Sequence, residues 1–198
     1  MKRFFAIALG LLALVLCSVQ VNRASAQTTP PWTTLFDGKS LDAFNRVGDA
    51  NWRLVDGVVQ ADSGTGFLVT KQPYGDFEIK AEFWVDEKAN SGIFIRCADP
   101  VKVGADTCYE VNVFDTRPDP TYGTGAIVNV AKVTTMPKAG GKWNTYEIRA
   151  EGPRMIVTLN GVRTVDVQDT KHARGQIGLQ YGAGIVKFRN VQIRPLGR

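Results

Sequence analysis

The chain has 198 residues, with 24 basic against 19 acidic side chains and a formal net charge of +5 at pH 7. Lys2, Arg3 and Arg23 belong to an N-terminal leader, so the mature chain keeps 21 basic against 19 acidic residues, a net charge of +2. The remaining basic residues are scattered singly, which excludes a nucleic-acid partner.

The leader comes first in chain order. Lys2 and Arg3 precede an apolar run of 13 residues (4–16), and polar residues then lead to Ala24-Ser25-Ala26. A basic start, an apolar stretch and an A-x-A site predict a secretory signal peptide over residues 1–26. The apolar run is shorter than the roughly 20 residues a membrane-spanning helix needs. Bulky Leu16 before Cys17 argues against a lipoprotein. The mature chain is expected to begin at Gln27, to be exported to the periplasm or medium without a membrane anchor, and to form one domain over residues 27–198.

The rest reads as a row of short strands broken by Gly, Pro, Asn and Asp. "WRLVDGVVQA" is a hairpin turned at Asp56-Gly57. "DFEIKAEFWV" puts Phe77, Ile79, Ala81, Phe83 and Val85 on one face and Glu78, Lys80, Glu82 and Trp84 on the other. In "SGIFIRCADP", Ser91, Ile93, Ile95 and Cys97 share one face while Gly92, Phe94 and Arg96 share the opposite one. Cys97 and Cys108 are the cysteines left after the leader, and an oxidising compartment predicts that they are bridged. "CYEVNVFD" alternates again, with Glu110 and Asn112 outward. Residues 114–125, "FDTRPDPTYGTG", form the longest stretch of turn chemistry, a loop of the kind that carries function on a rigid scaffold. "MIVTLNGVRTVDV" is a hairpin turned at Asn160-Gly161, and "GQIGLQY" and "IVKFRNVQI" close the chain. Ten or so such strands predict an all-β sandwich or barrel, with each sheet covering a shared core.

If the strands on either side of the Cys97–Cys108 loop pair, Arg96, Glu110 and Asn112 share one sheet face. Glu78, Lys80, Glu82 and Trp84 offer a similar face. A ring among carboxylates, an amide and a guanidinium suits a sugar, whose CH faces stack and whose hydroxyls hydrogen-bond. The same residues also read as a solvated face with cross-strand ion pairs. No Asp/Asn loop has calcium-ligand spacing, two thiols without nearby histidines make an incomplete zinc site, and "GAG" at 182–184 lacks the context of a phosphate loop. The sequence therefore calls for no metal or cofactor. One isolated histidine, His172, makes a serine or cysteine hydrolase a poor reading, and His172 itself is expected in a surface loop.

Ten motifs occur in one colinear series: "TLFDGKSLDAF" (34–44), "WRLVDGVV" (52–59), "YGDFEIKAEFWV" (74–85), "NSGIFIR" (90–96), "YEVNVFD" (109–115), "TGAI" (124–127), "KWNTYEIRAEG" (142–152), "VTLNGV" (157–162), "GQIGLQY" (175–181) and "VKFRNVQIRPL" (186–196). The series resembles the 3-keto-disaccharide hydrolase domain family across nearly the whole mature chain. The resemblance implies a concanavalin A-like jelly roll of two antiparallel sheets, with carbohydrate on the concave side. Its polar signature falls on Asn90, Ser91, Arg96, Glu110, Asp115 and Gln180. Two positions depart from the family pattern: Asn112 stands where glutamine is usual, and "LQYGAG" (179–184) replaces "LQDHG" or "LQxHG", so that histidine is absent.

The substrate implied is a 3-keto-glycoside or other oligosaccharide. A ketone at C3 acidifies the C2 hydrogen, so the C1 oxygen can leave by elimination, and water then adds. The expected roles are Glu110 as base, Asp115 as second carboxylate, and Arg96 with Asn112 on the enolate oxygen. Asn90 and Gln180 would position hydroxyls, and Trp84 and Tyr122 would flank the sugar. A carbohydrate-binding module without turnover would use the same face, and an adhesive sandwich is a third reading.

Overall fold

The computed structural model describes residues 30–197, so the leader expected over residues 1–26 lies outside the described residues. Among the described residues thirteen strands follow one another: β1 (Thr33–Phe36), β2 (Phe44–Gly48), β3 (Arg53–Val55), β4 (Val58–Ala61), β5 (Gly66–Thr70), β6 (Phe77–Val85) and β7 (Asn90–Cys97), then β8 (Tyr109–Val113), β9 (Trp143–Glu151), β10 (Arg154–Leu159), β11 (Val162–Gln168), β12 (Gln176–Ala183) and β13 (Val186–Pro195). They form two antiparallel sheets. One has eight strands, in the order β11-β10-β9-β6-β13-β4-β3 with β1 added on β13. The other has five, in the order β2-β5-β12-β7-β8.

The expected hairpins form for the expected reason. Asp56 and Gly57 take φ of 49° and 77°, and Asn160 and Gly161 take 51° and 81°. Two consecutive positive φ values suit the twist of a two-residue hairpin, and Asp-Gly and Asn-Gly adopt them at little cost. Along β6 burial alternates at every residue, with Phe77, Ile79, Ala81, Phe83 and Val85 turned inward. These pack with Ile93, Ile95, Val111, Leu179 and Phe188 in one core between the sheets. The architecture is a concanavalin A-like jelly-roll β-sandwich. No helix among the described residues is long and apolar enough to cross a membrane.

β6 and β7 are consecutive but belong to different sheets. The outer face of β6 and the outer face of β7 therefore point away from each other, on opposite sides of the sandwich.

Cys97 and Cys108 form a disulfide that closes the connection between β7 and β8. Both are buried in a satellite cluster with Phe94, Phe67 and Val103, on the far side of the five-stranded sheet from the main core. A bridge closing so short a loop stabilises by about 2–3 kcal/mol in the chain-entropy account. Peptide mapping of the purified protein without reductant is expected to recover the 97–108 pair, and free thiols at both positions would refute the bridge.

Candidate functional site

The outer face of the five-stranded sheet is built from two cross-strand rows. Asn45, Val69, Gly178, Phe94 and Glu110 make one, and Val47, Phe67, Gln180, Gly92 and Asn112 make the next. Gly92 leaves a gap between its two amide neighbours. A Cβ there would meet the Val111 carbonyl at 3.0 Å and Gln180 Oε1 at 3.5 Å. With β7 between them, the backbones of Gln180 and Asn112 lie two strand spacings apart, about 10 Å. Gln180 Oε1 and Asn112 Oδ1 are both buried, and neither has a hydrogen-bond partner. The Asn112 amide is oriented by its Nδ2, which donates to the Tyr122 carbonyl at 2.7 Å. Two unpaired acceptors beside a gap in the side-chain layer are what a hydroxyl-bearing ligand would satisfy.

Glu110 is the one carboxylate in these two rows. It is partly buried, and its carboxylate has no hydrogen-bonding partner among the described residues. Loss of solvation pushes its carboxyl up to about 6 from the ordinary 4.5, and the nearby Arg117 guanidinium pulls it part of the way back. Arg117 comes from the turn-rich loop after β8. Sequence reasoning singled out that loop without singling out this residue.

The loop is held from three directions. Asp115 accepts from Thr124 Oγ1 at 2.6 Å and from the backbone N–H groups of Ala139 and Gly140, each at 2.9 Å. Thr124 Oγ1 also accepts from the Phe114 N–H. Tyr146, on β9 of the other sheet, reaches through the core, donates to the Asn112 carbonyl at 2.5 Å and accepts from Gly125 N–H at 2.9 Å. Its full burial drives the phenol pKa well up, so it stays neutral. Tyr122 is thus fixed beside Asn112, with Lys132 over its ring at 5.3 Å.

Asn90, Asn112, Glu110 and Gln180 are brought together on this face, and Tyr122 borders it. Three expected partners are not there. Arg96 is 1% exposed and points away. β7 has two residues between Phe94 and Cys97 where β12 has one between Gly178 and Gln176, and Arg96 takes φ of 53° at this bulge. A bulge re-aims the side chain that alternation would have placed outward. The guanidinium instead donates to the carbonyls of Gly75 (2.9 Å) and Gly152 (2.8 Å), to the His172 carbonyl at 3.4 Å, and to Asp76 Oδ1 at 3.1 Å. Asp115 is committed to the three donors named above, which corrects its expected place as second carboxylate. Trp84 lies on the opposite side of the molecule, because β6 belongs to the other sheet; Lys187 covers its ring at 4.9 Å.

That opposite face carries a groove of about 520 Å³, bordered by Trp32, Glu78, Lys80, Glu147, Arg149 and Arg194. Its charges are already matched: Glu78 pairs with Arg149 and Arg194, and Lys80 with Glu147 at 2.7 Å. The ion-paired, solvated reading of the β6 outer face is the one that holds there. His172, expected in a surface loop, is half-buried with its ring edge-on to Tyr109 at 5.1 Å. Burial, followed by Lys171, holds its pKa below the usual value. Among the described residues there is no group of three or more His, Cys, Asp or Glu able to hold a metal.

The missing histidine of the "LQxHG" pattern has a structural counterpart. Gly182 occupies that position at a bulge of β12. A Cβ on it would stand 2.9 Å from the Asn90 carbonyl and 3.2 Å from Asn90 Cγ and Nδ2. The Asn90 amide fills the space beside Gly182 that a larger side chain would need.

The chain is a member of the 3-keto-disaccharide hydrolase family: the model of the 3-keto-alpha-glucoside-1,2-lyase-like domain matches residues 31–194. Two candidate glycosyl hydrolases from Parabacteroides distasonis ATCC 8503 share the fold. One has a TM-score of 0.75 at 20% identity, covering 84% of this chain and 94% of that one. The other has a TM-score of 0.72 at 26% identity, covering 84% and 100%. The carbohydrate-binding module CBM66 from Bacillus subtilis follows at TM-score 0.60 and 20% identity, covering 84% and 97%. No sequence among the curated proteins matches the chain.

Gln180 offers a test of the face that does not depend on catalysis. Replacing it with methionine removes a buried orphan acceptor, so thermal stability is expected to stay level or rise slightly. Saccharide affinity is expected to fall about tenfold, near 1.4 kcal/mol. Isothermal titration calorimetry and a melting curve check the pair; unchanged affinity would remove Gln180 from the site.

Proposed function

We propose that this chain is an exported enzyme that cleaves 3-keto-glycosides by elimination followed by hydration, with Glu110 as the base. The observation that carries the reading is a half-buried carboxylate, pushed up to about 6, alone among amides on one sheet face. A base with a pKa near the working pH combines a large ionised fraction with useful proton affinity. A retaining or inverting glycosidase acting on an unoxidised sugar uses two carboxylates flanking the bond. Here Asp115 is tied to the loop, and a single carboxylate suits a substrate whose ketone already acidifies C2.

Glu110 takes the C2 proton, and the electron pair of that C–H bond becomes the enolate across C2 and C3. The enolate then collapses, restoring the C3 carbonyl, forming the C1–C2 double bond and breaking the C1–O bond. The departing oxygen takes back the proton that Glu110 removed from C2. Water adds its hydroxyl to C1 and a proton to C2, and the net result is hydrolysis. Arg117 supplies the positive charge near the developing enolate that Arg96 was expected to supply. Gln180, Asn90 and Asn112 hold hydroxyls, and Tyr122 borders the ring.

Incubating the mature protein with a 3-keto-disaccharide and with its unoxidised parent tests the proposal. Release of 3-keto-monosaccharide from the former alone is the expected result. Binding of either sugar without release would select a carbohydrate-binding module instead. That second reading draws on Gly182, which stands where the family pattern implied by the resemblance has histidine.

A further inference from the structure

The connection between β7 and β8 does more than join two strands. It folds back over the outer face of the five-stranded sheet, where Val103 packs with Phe94, Phe67 and the disulfide. A Cβ on Gly178 would lie 3.5 Å from Val103 Cγ1 and 3.4 Å from Phe94 Cβ, so Val103 and Phe94 both sit within van der Waals reach of this position on β12. Phe94 stands directly opposite Glu110 across the β7–β8 pair.

The loop is rigid for its length. Beyond the bridge, Ala98 N–H donates to the Thr107 carbonyl at 3.0 Å and Cys108 N–H to the Gly104 carbonyl at 2.9 Å. Thr107 Oγ1 donates to the Lys102 carbonyl at 2.5 Å and lies 3.2 Å from that of Gly104. An apolar cluster thus borders the Glu110 row at Phe94.

We propose that the Cys97–Cys108 loop is the dry wall of the Glu110 site, and that Val103, seated on Phe94, is a positioning residue that keeps water from that carboxylate. This rests on the reading of Glu110 as the base. Apolar neighbours disfavour the charged form of a carboxyl by withholding hydration. The cross-strand neighbours of Glu110 on β7 and β12, Phe94 and Gly178, carry no charge. Arg117, from the loop after β8, is the charged group among the described residues that acts on it. Opening the wall would therefore leave Arg117 in place and remove the apolar side. By the same logic the state of the disulfide sets how dry the base is.

The test is a carbon-detected NMR titration of the Glu110 side-chain carboxyl, which needs no turnover. In Val103→Ser the midpoint is expected to fall from about 6 towards the ordinary 4.5, by roughly half a unit or more. The acid limb of the pH–turnover profile is expected to move with it. The double variant Cys97→Ser with Cys108→Ser should give the same shift or a larger one; if it fails to fold, Val103→Ser decides alone. An unchanged midpoint in Val103→Ser, with the 97–108 bridge intact by mapping, overturns the proposal. If the midpoint shifts as expected while Glu110→Gln leaves turnover untouched, the wall stands and the base assignment fails.

Discussion

Glutamine at position 110 is expected to lower turnover of a 3-keto-glycoside by about 10²-fold or more, the usual scale for losing a general base. The substitution keeps the side chain's size and leaves the core-facing neighbours Tyr109 and Val111 untouched, both of which are buried. Saccharide affinity should change far less than turnover, because an amide still offers an oxygen and a donor to hydroxyls. In the unaltered protein, kcat/KM should rise with pH through an acid limb near 6, as the carboxyl ionises.

The same residue gives a stability signature of opposite sense. Its folded-state pKa lies above the ordinary value, so between 4.5 and about 6 the folded protein binds the proton more tightly than the unfolded chain does. Stability therefore declines as pH rises through that window. Glu110→Gln removes the decline and should be more stable than the parent at pH 7, by about 2 kcal/mol. Full turnover in the variant would discard the base assignment; loss of turnover with a collapsed melting curve would mean that the change had damaged the fold.

The second large effect concerns Arg96, whose loss is expected to cost about 3–5 kcal/mol of folding stability. The buried guanidinium joins β7 to two segments of the other sheet, Gly75 and Asp76 ahead of β6 and Gly152 in the β9–β10 turn, and to His172 in the connection from β11 to β12. Asp76 Oδ1 also accepts from Gly152 N–H at 2.9 Å, so the network is continuous. Arg96→Ala leaves a partly buried carboxylate without its guanidinium and three carbonyls short of a donor. Arg96→Lys should recover only part of the loss, since one ammonium cannot reproduce the planar fork. Urea denaturation monitored by tryptophan fluorescence measures both. A midpoint for Arg96→Ala that matches the parent would show that the network contributes nothing, and would reopen a role for Arg96 on the sugar face.

Much of this protein is legible one strand at a time. Two-residue alternation identified the inward set of β6 and of Ile93, Ile95, Val111 and Val113, because burial against one core face imposes that period directly on the residue types. Asp-Gly and Asn-Gly located two hairpins because few other pairs accept two positive φ values. Glu110 and Asn112 share one outward phase by the same alternation, whereas Asn90 and Gln180 were singled out by the family resemblance alone.

What alternation cannot carry is the sheet to which a strand belongs. Trp84 and Glu110 have the same outward phase, yet β6 and β8 lie in different sheets and the two side chains face opposite ways. Nor does it survive a bulge: one extra residue in β7 turned Arg96 from a surface candidate into a buried tie between the sheets. Asp115 was lost to the site for a third reason, since its partners at 139 and 140 lie more than twenty residues on and only folding brings their N–H groups to it. Local sequence determined the phase of each strand, because side chains on a pleated chain must alternate. The tertiary structure alone decided which faces coincide and which carboxylate stays free, because those depend on pairings between residues far apart in the chain.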